Sequence, residues 1–241
     1  MKRVSLFTSL FLLLLLAISC QDPCKDGNCP QEMEAPSETA FWGEIFPRIG
    51  AGCYYENGLV LIFNLAGDQY ALVDPESGQY DGPLELNEAI LEGIPFDAVG
   101  AVHHHRDGRL IFFDKAGTQA ADYMIEVEQF QPPIDLGNFG NDLHPYATLG
   151  VGAAAKNDFY DSFHFNKKGD EFTLYQSNTR PDFQSLKSVS EFDDGNINID
   201  NVGAAIYMDM NQGSIVLFDQ TGSTYYIHNL QSGKTEGFFK L

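Results

Sequence analysis

A four-bladed, all-β propeller is the architecture this sequence predicts, and three observations predict it. A short pattern ending in Gly occurs four times at even spacing, a Gly-small element precedes each copy by about seventeen residues, and turn signals separate runs of large apolar residues.

The pattern reads Phe, then Asn or Asp, two variable residues, and Gly. Its copies are Phe63-Asn64 with Gly67, Phe113-Asp114 with Gly117, Phe165-Asn166 with Gly169, and Phe218-Asp219 with Gly222, and the glycines lie 50, 52 and 53 residues apart. A period of this length marks units that bury their apolar faces against one another. The preceding element is Phe46-Pro47-Arg48-Ile49-Gly50-Ala51, Phe96-Asp97-Ala98-Val99-Gly100-Ala101, Tyr146-Ala147-Thr148-Leu149-Gly150-Val151 and Ile199-Asp200-Asn201-Val202-Gly203-Ala204. In the third repeat a second register, on Gly152-Ala153, competes with the first.

Each repeat reads as a series of strands. The Gly-Ala stretch suits an inner strand at a crowded axis, where side chains must be small. Glu56-Asn57-Gly58 and Arg106-Asp107-Gly108 are hairpin signals. Leu59 to Phe63, Leu110 to Phe113 and Ser214 to Phe218 follow as large apolar strands. The Asn or Asp of the repeated pattern then opens a turn whose Gly takes a positive φ. Gln69 to Asp74 and Thr224 to His228 form the third strands. Three or four short antiparallel strands make a blade. The blades fall at about residues 42–92, 93–142, 143–195 and 196–241, with a short helix or turn between them.

Gly93-Ile94-Pro95-Phe96-Asp97-Ala98-Val99, preceded by Gly82-Pro83-Leu84-Glu85-Leu86, resembles the blade junction of hemopexin-type domains, which occur in hemopexin and at the C-terminus of matrix metalloproteinases. Leu110-Ile111-Phe112-Phe113-Asp114 is similar to the aromatic strand that follows it there, and Pro181 to Phe192 with Ile199-Asp200-Asn201-Val202 repeats the junction. The resemblance covers residues 41–241 in layout and is close in repeats two and four. It departs in two ways. No Cys follows Cys53 to tie the first blade to the last, and the family's Tyr-Trp pair is missing, Trp42 being the only Trp. What the resemblance implies is a calcium or sodium ion in the central channel, held by backbone carbonyls at Asp97 and Asp200, with Pro47 and Ala147 in the same places of repeats one and three. Carbonyl ligation tolerates the change of residue type, because the ligand is the main chain.

Residues 1–19 have the form of a secretory signal: Lys2 and Arg3, an uncharged stretch from Val4 to Ser19, and Cys20 directly after Leu-Ala-Ile-Ser. The stretch is short for a membrane span. Its end resembles the lipobox of bacterial lipoproteins, which implies cleavage before Cys20 and lipidation of that residue. Residues 20–40, rich in Pro, Glu, Gln, Asp and Ser, read as a flexible tether, and residues 41–241 as the globular part. What the resemblance to lipoprotein sorting implies, from Gln21 rather than Asp after Cys20 together with the acidic tether, is an outer-membrane or cell-surface location. Cys24 and Cys29 are suited to a small disulfide loop in an oxidising compartment, with a bridge from either to Cys53 as the alternative. Left alone, Cys53 reads as a buried thiol.

The chain has 14 Lys and Arg against 34 Asp and Glu; removing Lys2 and Arg3 takes its net charge from −20 to −22. Such a surface repels phosphate backbones, so nucleic acid is excluded as a partner. His103, His104 and His105 form the sharpest side-chain cluster. Strand alternation sends His103 and His105 to one face, where a transition metal or haem iron could bind, though solvated hairpin residues are the plainer reading. The resemblance carries over no haem ligands. Glu191 to Asp200 lacks the Gly and closing Glu of an EF-hand and reads as a polar loop; Asp158, Asp161, Asp170 and Glu171 read as an acidic edge.

No catalytic motif is recognisable: there is no Gly-x-Ser-x-Gly, His-Glu-x-x-His or phosphate loop. The expectation is a non-catalytic binding module, lipid-anchored at the envelope, for a protein or glycan, with Tyr54, Tyr55 and Tyr80 as candidate contacts. Metal or haem capture through His103–His105 is the first alternative and an envelope hydrolase the second.

Overall fold

Four strands of small residues sit where each repeat begins: Ile49–Tyr54 (β1), Val99–His105 (β5), Val151–Lys156 (β10) and Val202–Met208 (β15). Each opens a separate antiparallel sheet. Blade 1 continues with Val60–Asn64 (β2), Gln69–Asp74 (β3) and Gln79–Glu85 (β4). Blade 2 has Arg109–Asp114 (β6), Gln119–Met124 (β7), Gln129–Phe130 (β8) and Ile134–Asp135 (β9). Blade 3 has Ser162–Asn166 (β11), Glu171–Gln176 (β12), Asp182–Phe183 (β13) and Lys187–Ser188 (β14). Blade 4 has Ser214–Asp219 (β16), Thr224–Asn229 (β17) and Thr235–Lys240 (β18). The computed structural model describes residues 39, 41–105, 108–138, 144–156, 162–176, 182–192, 201–208 and 213–241. The leader, Cys20, Cys24, Cys29, Asp158, Asp161 and Asp200 lie outside them.

The inner strands close a ring: β1 packs against β5 and β15, and β10 packs against the same two. Each pairs with its neighbour in one register, Ile49 with Asn64, Val99 with Asp114, Val151 with Asn166 and Val202 with Asp219. A bulge follows each first pair, at Gly50, Gly100, Gly152 and Gly203. The third repeat therefore uses the register on Gly152-Ala153. A Cβ at that glycine would stand 2.7 Å from the Asn166 carbonyl oxygen, so the bulge admits no side chain. Leu149, not Ala147, occupies the place equivalent to Pro47 and Asp97, two residues before the inner strand.

The repeated Phe-Asn/Asp-x-x-Gly pattern fastens one blade to the next. Its Asn or Asp side chain accepts the turn's own amides, as at Gly67 N to Asn64 Oδ1 (2.7 Å) and Thr118 N to Asp114 Oδ1 (2.7 Å). Its Gly carbonyl accepts from the first amide of the next inner strand. Val99 donates to Gly67, Val151 to Gly117, Val202 to Gly169 and Ile49 to Gly222, each at 2.8 Å. The last of these crosses from blade 4 to blade 1. At Gly117 the close approach and the backbone conformation both demand glycine: φ is +74°, and a Cβ would lie 2.1 Å from the Val151 carbonyl oxygen. Gly58 has φ +85° but open space around it. Gly58→Ala should cost about 1 kcal/mol, the left-handed penalty alone. Gly117→Ala should cost at least about twice that, because a fastening hydrogen bond is lost as well. Equal denaturant midpoints for the two variants would show that the fastening contributes nothing.

Short 3-10 turns link the blades, Ala89–Leu91, Leu136–Asn138 and Val189–Glu191, and bury Leu91, Leu136 and Val189 between sheets. The junction of blades 4 and 1 is filled instead by a single helical turn, Trp42–Ile45 (α1). Trp42 stacks on Phe218 of blade 4 at 6.2 Å and shares its cluster with Ile49, Val60 and Ile62 of blade 1. Thr39 and Tyr225 hydroxyls are hydrogen-bonded at 2.7 Å. Ring closure thus uses packing and main-chain bonds, without a disulfide among the described residues; Cys53 is free and buried, and burial pushes its thiol pKa up.

A candidate histidine site between blades 2 and 3

Three of the four junctions between blades are packed mainly with large apolar side chains. The junction of blades 2 and 3 has the shortest apolar cluster, Ala101, Ile111, Phe113, Ala120, Leu136, Tyr146, Val151 and Ala154. Imidazoles stand beside it. Counting from the shared register, Cys53, Ala155 and Ile206 occupy one inner-strand position in blades 1, 3 and 4; blade 2 has His103 there. On the second strand, Ile62, Phe112 and Leu217 occupy one position in blades 1, 2 and 4; blade 3 has His164. His103 and His164 are each 1 % exposed. Two core positions that are otherwise apolar or thiol have become histidines, and they face each other across one junction.

The ring centroids of His103 and His164 are 5.2 Å apart, and those of His164 and His144 are 5.1 Å apart. His105 lies on the His103 side, 6.3 Å away, as strand alternation requires. His104 points to the other face and packs edge-on against Tyr54 at 5.9 Å. His103 is not a solvated hairpin residue. Its strand runs under a neighbouring blade, so its side chain stacks on Phe113.

The hydrogen bonds fix the tautomers. The Tyr146 amide donates to His144 Nδ1 at 3.0 Å, so the proton of His144 sits on Nε2. That N–H donates to His164 Nδ1 at 2.8 Å, which leaves the proton of His164 on Nε2, donating to Ser162 Oγ at 3.0 Å. His103 Nδ1 donates to the His104 carbonyl at 3.3 Å. His103 Nε2 is then a bare lone pair, buried and without a partner among the described residues. All these rings are neutral at pH 7. Burial first, then neighbouring histidines, lowers the His103 pKa to about 3; burial lowers His144 to about 4; and burial with His144, His103 and His105 holds His164 well below its ordinary value. Burial followed by Lys156 brings His104 to about 4.

The relay runs towards Ser162, whose oxygen accepts. An activated serine needs the reverse, a base that accepts its proton. Reversal would force His144 to receive from both sides with no proton of its own. Ser162 is also buried. The arrangement supplies lone pairs and neutral donors, not a nucleophile.

The end of the channel nominated by the resemblance looks different. Pro47 and Asp97 are exposed, and Ala147 lies in the turn after His144, its amide donating to the His144 carbonyl. At this same end of the inner strands, Lys115 Nζ donates to the Leu65 carbonyl of the preceding blade at 2.6 Å, and Lys167 Nζ to the Lys115 carbonyl at 2.5 Å. Burial lowers the pKa of both lysines. Two main-chain oxygens at this end of the inner strands are thus already taken by ammonium groups.

A seed albumin from Lathyrus sativus is similar over 75 % of this chain and 85 % of its own, with a TM-score of 0.59 and 16 % identity. A hemopexin-fold protein from cow pea matches 65 % of this chain and 72 % of its own at 15 % identity, with a TM-score of 0.47. No protein-family model matches the chain, and no curated protein does. The chain is a four-bladed β-propeller. At 16 % identity the likeness to the Lathyrus protein shows the fold and nothing about ligands.

The propeller places the remaining sequence candidates as follows. Tyr55 is core, Tyr54 is half-buried with its hydroxyl accepting from Gly58 N, and Tyr80 is 47 % exposed on the outer strand of blade 1. Asp170 pairs with Lys168 and accepts from Asn166 at 2.8 Å, contacts that hold its carboxylate below the ordinary pKa. His144 and His164 were not among the sequence candidates. The available signal was positional: once the four repeats are aligned, His164 falls in a column of Ile62, Phe112 and Leu217.

Proposed function

We propose that this chain is a lipid-anchored binding module of the cell envelope, tethered through Cys20, whose propeller holds a protein or glycan ligand against an acidic surface. The observation that supports this most is the outer strand of blade 1. Along β4, Gln79, Tyr80, Asp81, Pro83 and Glu85 are exposed, and Glu76 and Glu88 flank them. One exposed aromatic ring among carboxylates suits a basic or polyhydroxylated ligand. Pro83 and the charges discourage strand addition at this edge, so recognition would proceed through side chains. The fourfold fastening holds the blade rigid, which limits the ordering cost of binding.

A pull-down from envelope extracts tests the reading. Wild-type protein should recover a partner, and Tyr80→Ala should recover at least about fivefold less, a loss of roughly 1 kcal/mol. Equal recovery by both would remove this edge from the reading. Mass analysis of the mature N-terminus should show an acylated Cys20; an unmodified chain beginning at Met1 would remove the anchor. The haem alternative gains nothing from the geometry, because His103 is sealed beneath blade 3 and offers no face to a macrocycle.

A further inference from the structure

We propose that Lys115 and Lys167 hold one small oxyanion, a phosphate or a carboxylate, at the end of the channel where the inner strands begin. The site is separate from the blade 1 edge and goes beyond the binding role assigned to it.

The repeats place the two lysines side by side. Leu65, Lys115, Lys167 and Gln220 each follow the Asn or Asp of the repeated pattern. Each lies against the bulge glycine of its own inner strand, where a Cβ on Gly50, Gly100, Gly152 or Gly203 would stand 2.8 to 3.0 Å from its α-carbon. The four therefore share one level, one from each blade. The polar ones reach back to the turn before. Lys115 Nζ donates to the Leu65 carbonyl at 2.6 Å, Lys167 Nζ to the Lys115 carbonyl at 2.5 Å, and Gln220 Nε2 to the Lys168 carbonyl at 3.2 Å. The second ammonium thus stands on the backbone of the residue that carries the first. Among the charges around Lys115, that of Lys167 acts on it most strongly.

The composition makes such a pair unexpected. The chain has 34 carboxylate side chains to 14 Lys and Arg, yet neither ammonium touches a carboxylate among the described residues. Exposed Lys168, next in the chain, pairs with Asp170, and Arg109 pairs with Asp122 at 2.9 Å. Asp68 acts on Lys115 and Asp114 on Lys167 only through space, because both carboxylates serve their own turns. Asp68 accepts from Asn64 Nδ2 at 2.8 Å, and Asp114 from the Thr118 and Gln119 amides at 2.7 and 2.9 Å.

An ammonium carries three N–H donors, and each lysine has one acceptor among the described residues, so two N–H groups remain on each. Both side chains are half-buried, where a charge without a counter-charge is costly. Tying one turn to the next does not require charge, since the neutral Gln220 does the same in blade 4. An oxyanion lying between the two ammoniums accepts a charge-assisted bond of about 2.7–2.9 Å from each. It also offsets the burial that lowers the pKa of both lysines and the repulsion that lowers Lys115 further. A compact anion needs only this one opening, whereas a nucleic acid backbone meets the whole acidic surface.

The full-length protein should be titrated calorimetrically at pH 7 with inorganic phosphate and, separately, with succinate, the ionic strength being held constant with chloride. One equivalent of at least one of them should bind, with half-saturation below about 10 mM. Binding of phosphate alone assigns the site to phosphates, and of succinate alone to carboxylates. Lys115→Met and Lys167→Met keep the apolar stem and remove the charge, and each should weaken binding at least tenfold. Lys168→Met should leave it unchanged. Circular dichroism checks the fold of all three. Should a methionine variant unfold, acetylation of the wild-type lysines followed by mass spectrometry decides: the bound anion should slow labelling of Lys115 and Lys167 at least threefold and leave Lys234 as before. Absence of saturable binding by either anion overturns the proposal. So does binding that persists unchanged in both methionine variants, or equal labelling with and without the anion.

Discussion

Replacing Trp42 by alanine should cost about 3–5 kcal/mol, among the largest losses available to a single substitution in this propeller. Trp42 is 0 % exposed. It fills the one junction that the chain closes between its two ends, with Phe218, Tyr225 and Phe239 of blade 4 on one side and Ile49, Val60 and Ile62 of blade 1 on the other. The C-terminal Leu241 backbone lies against Gly43 of the same helical turn, where a Cβ would approach it to 2.6 Å. Removing the indole therefore loosens the start of blade 1 and the last strand of blade 4 together. The indole N–H has no hydrogen-bond partner among the described residues, so what they contribute to holding Trp42 is packing. Trp42→Phe should in consequence cost less than about 2 kcal/mol, well short of the alanine variant. Urea unfolding followed by circular dichroism measures both. A Trp42→Ala midpoint within error of wild type would mean that the ring closes without this turn.

Acid should destabilise the protein well above the pH at which carboxylates titrate. His103, His144 and His164 have folded-state pKa values below the unfolded value of about 6.5, so the unfolded chain binds more protons wherever the pH lies between the two. Stability is then fully present above about pH 6.5 and is lost as pH falls towards 4 and 3. From pH 7 to pH 5, His103 and His144 should each cost about 2 kcal/mol, and His164 adds to the fall in the same direction. Together these losses approach the whole stability of many domains. Denaturant midpoints at pH 7, 6 and 5 should fall steeply, and His103→Leu with His164→Leu should flatten the fall. An unchanged midpoint across that range would show that the imidazoles are charged and solvated in the folded protein.

Much of the fold was legible because propeller repeats are locally encoded. Phe63-Asn64 with Gly67 and its three copies carry their own turn, and Gly117 shows why the last residue is invariant within the chain: its carbonyl fastens the next blade and its α-carbon leaves no room for a side chain. The inner strands were legible for a related reason, since Gly and Ala mark a crowded position whatever surrounds them. The third register was not decidable locally. Gly150 and Gly152 both precede slim residues, and only pairing of Val151 with Asn166 makes Gly152 the bulge.

The histidine junction was half legible. His103 and His105 share a strand, so alternation put them on one face. His164 and His144 are 61 and 41 residues away from His103 in sequence, and nothing local marks them. Chain order and residue period thus decided the number of blades, the turns and the small inner strands, because each depends on backbone geometry within a few residues. Which side chains meet across a junction depends on how two separate sheets pack. Only the tertiary structure decided that four apolar-lined junctions would become three, with imidazoles in the fourth, and that Trp42 would close the ring.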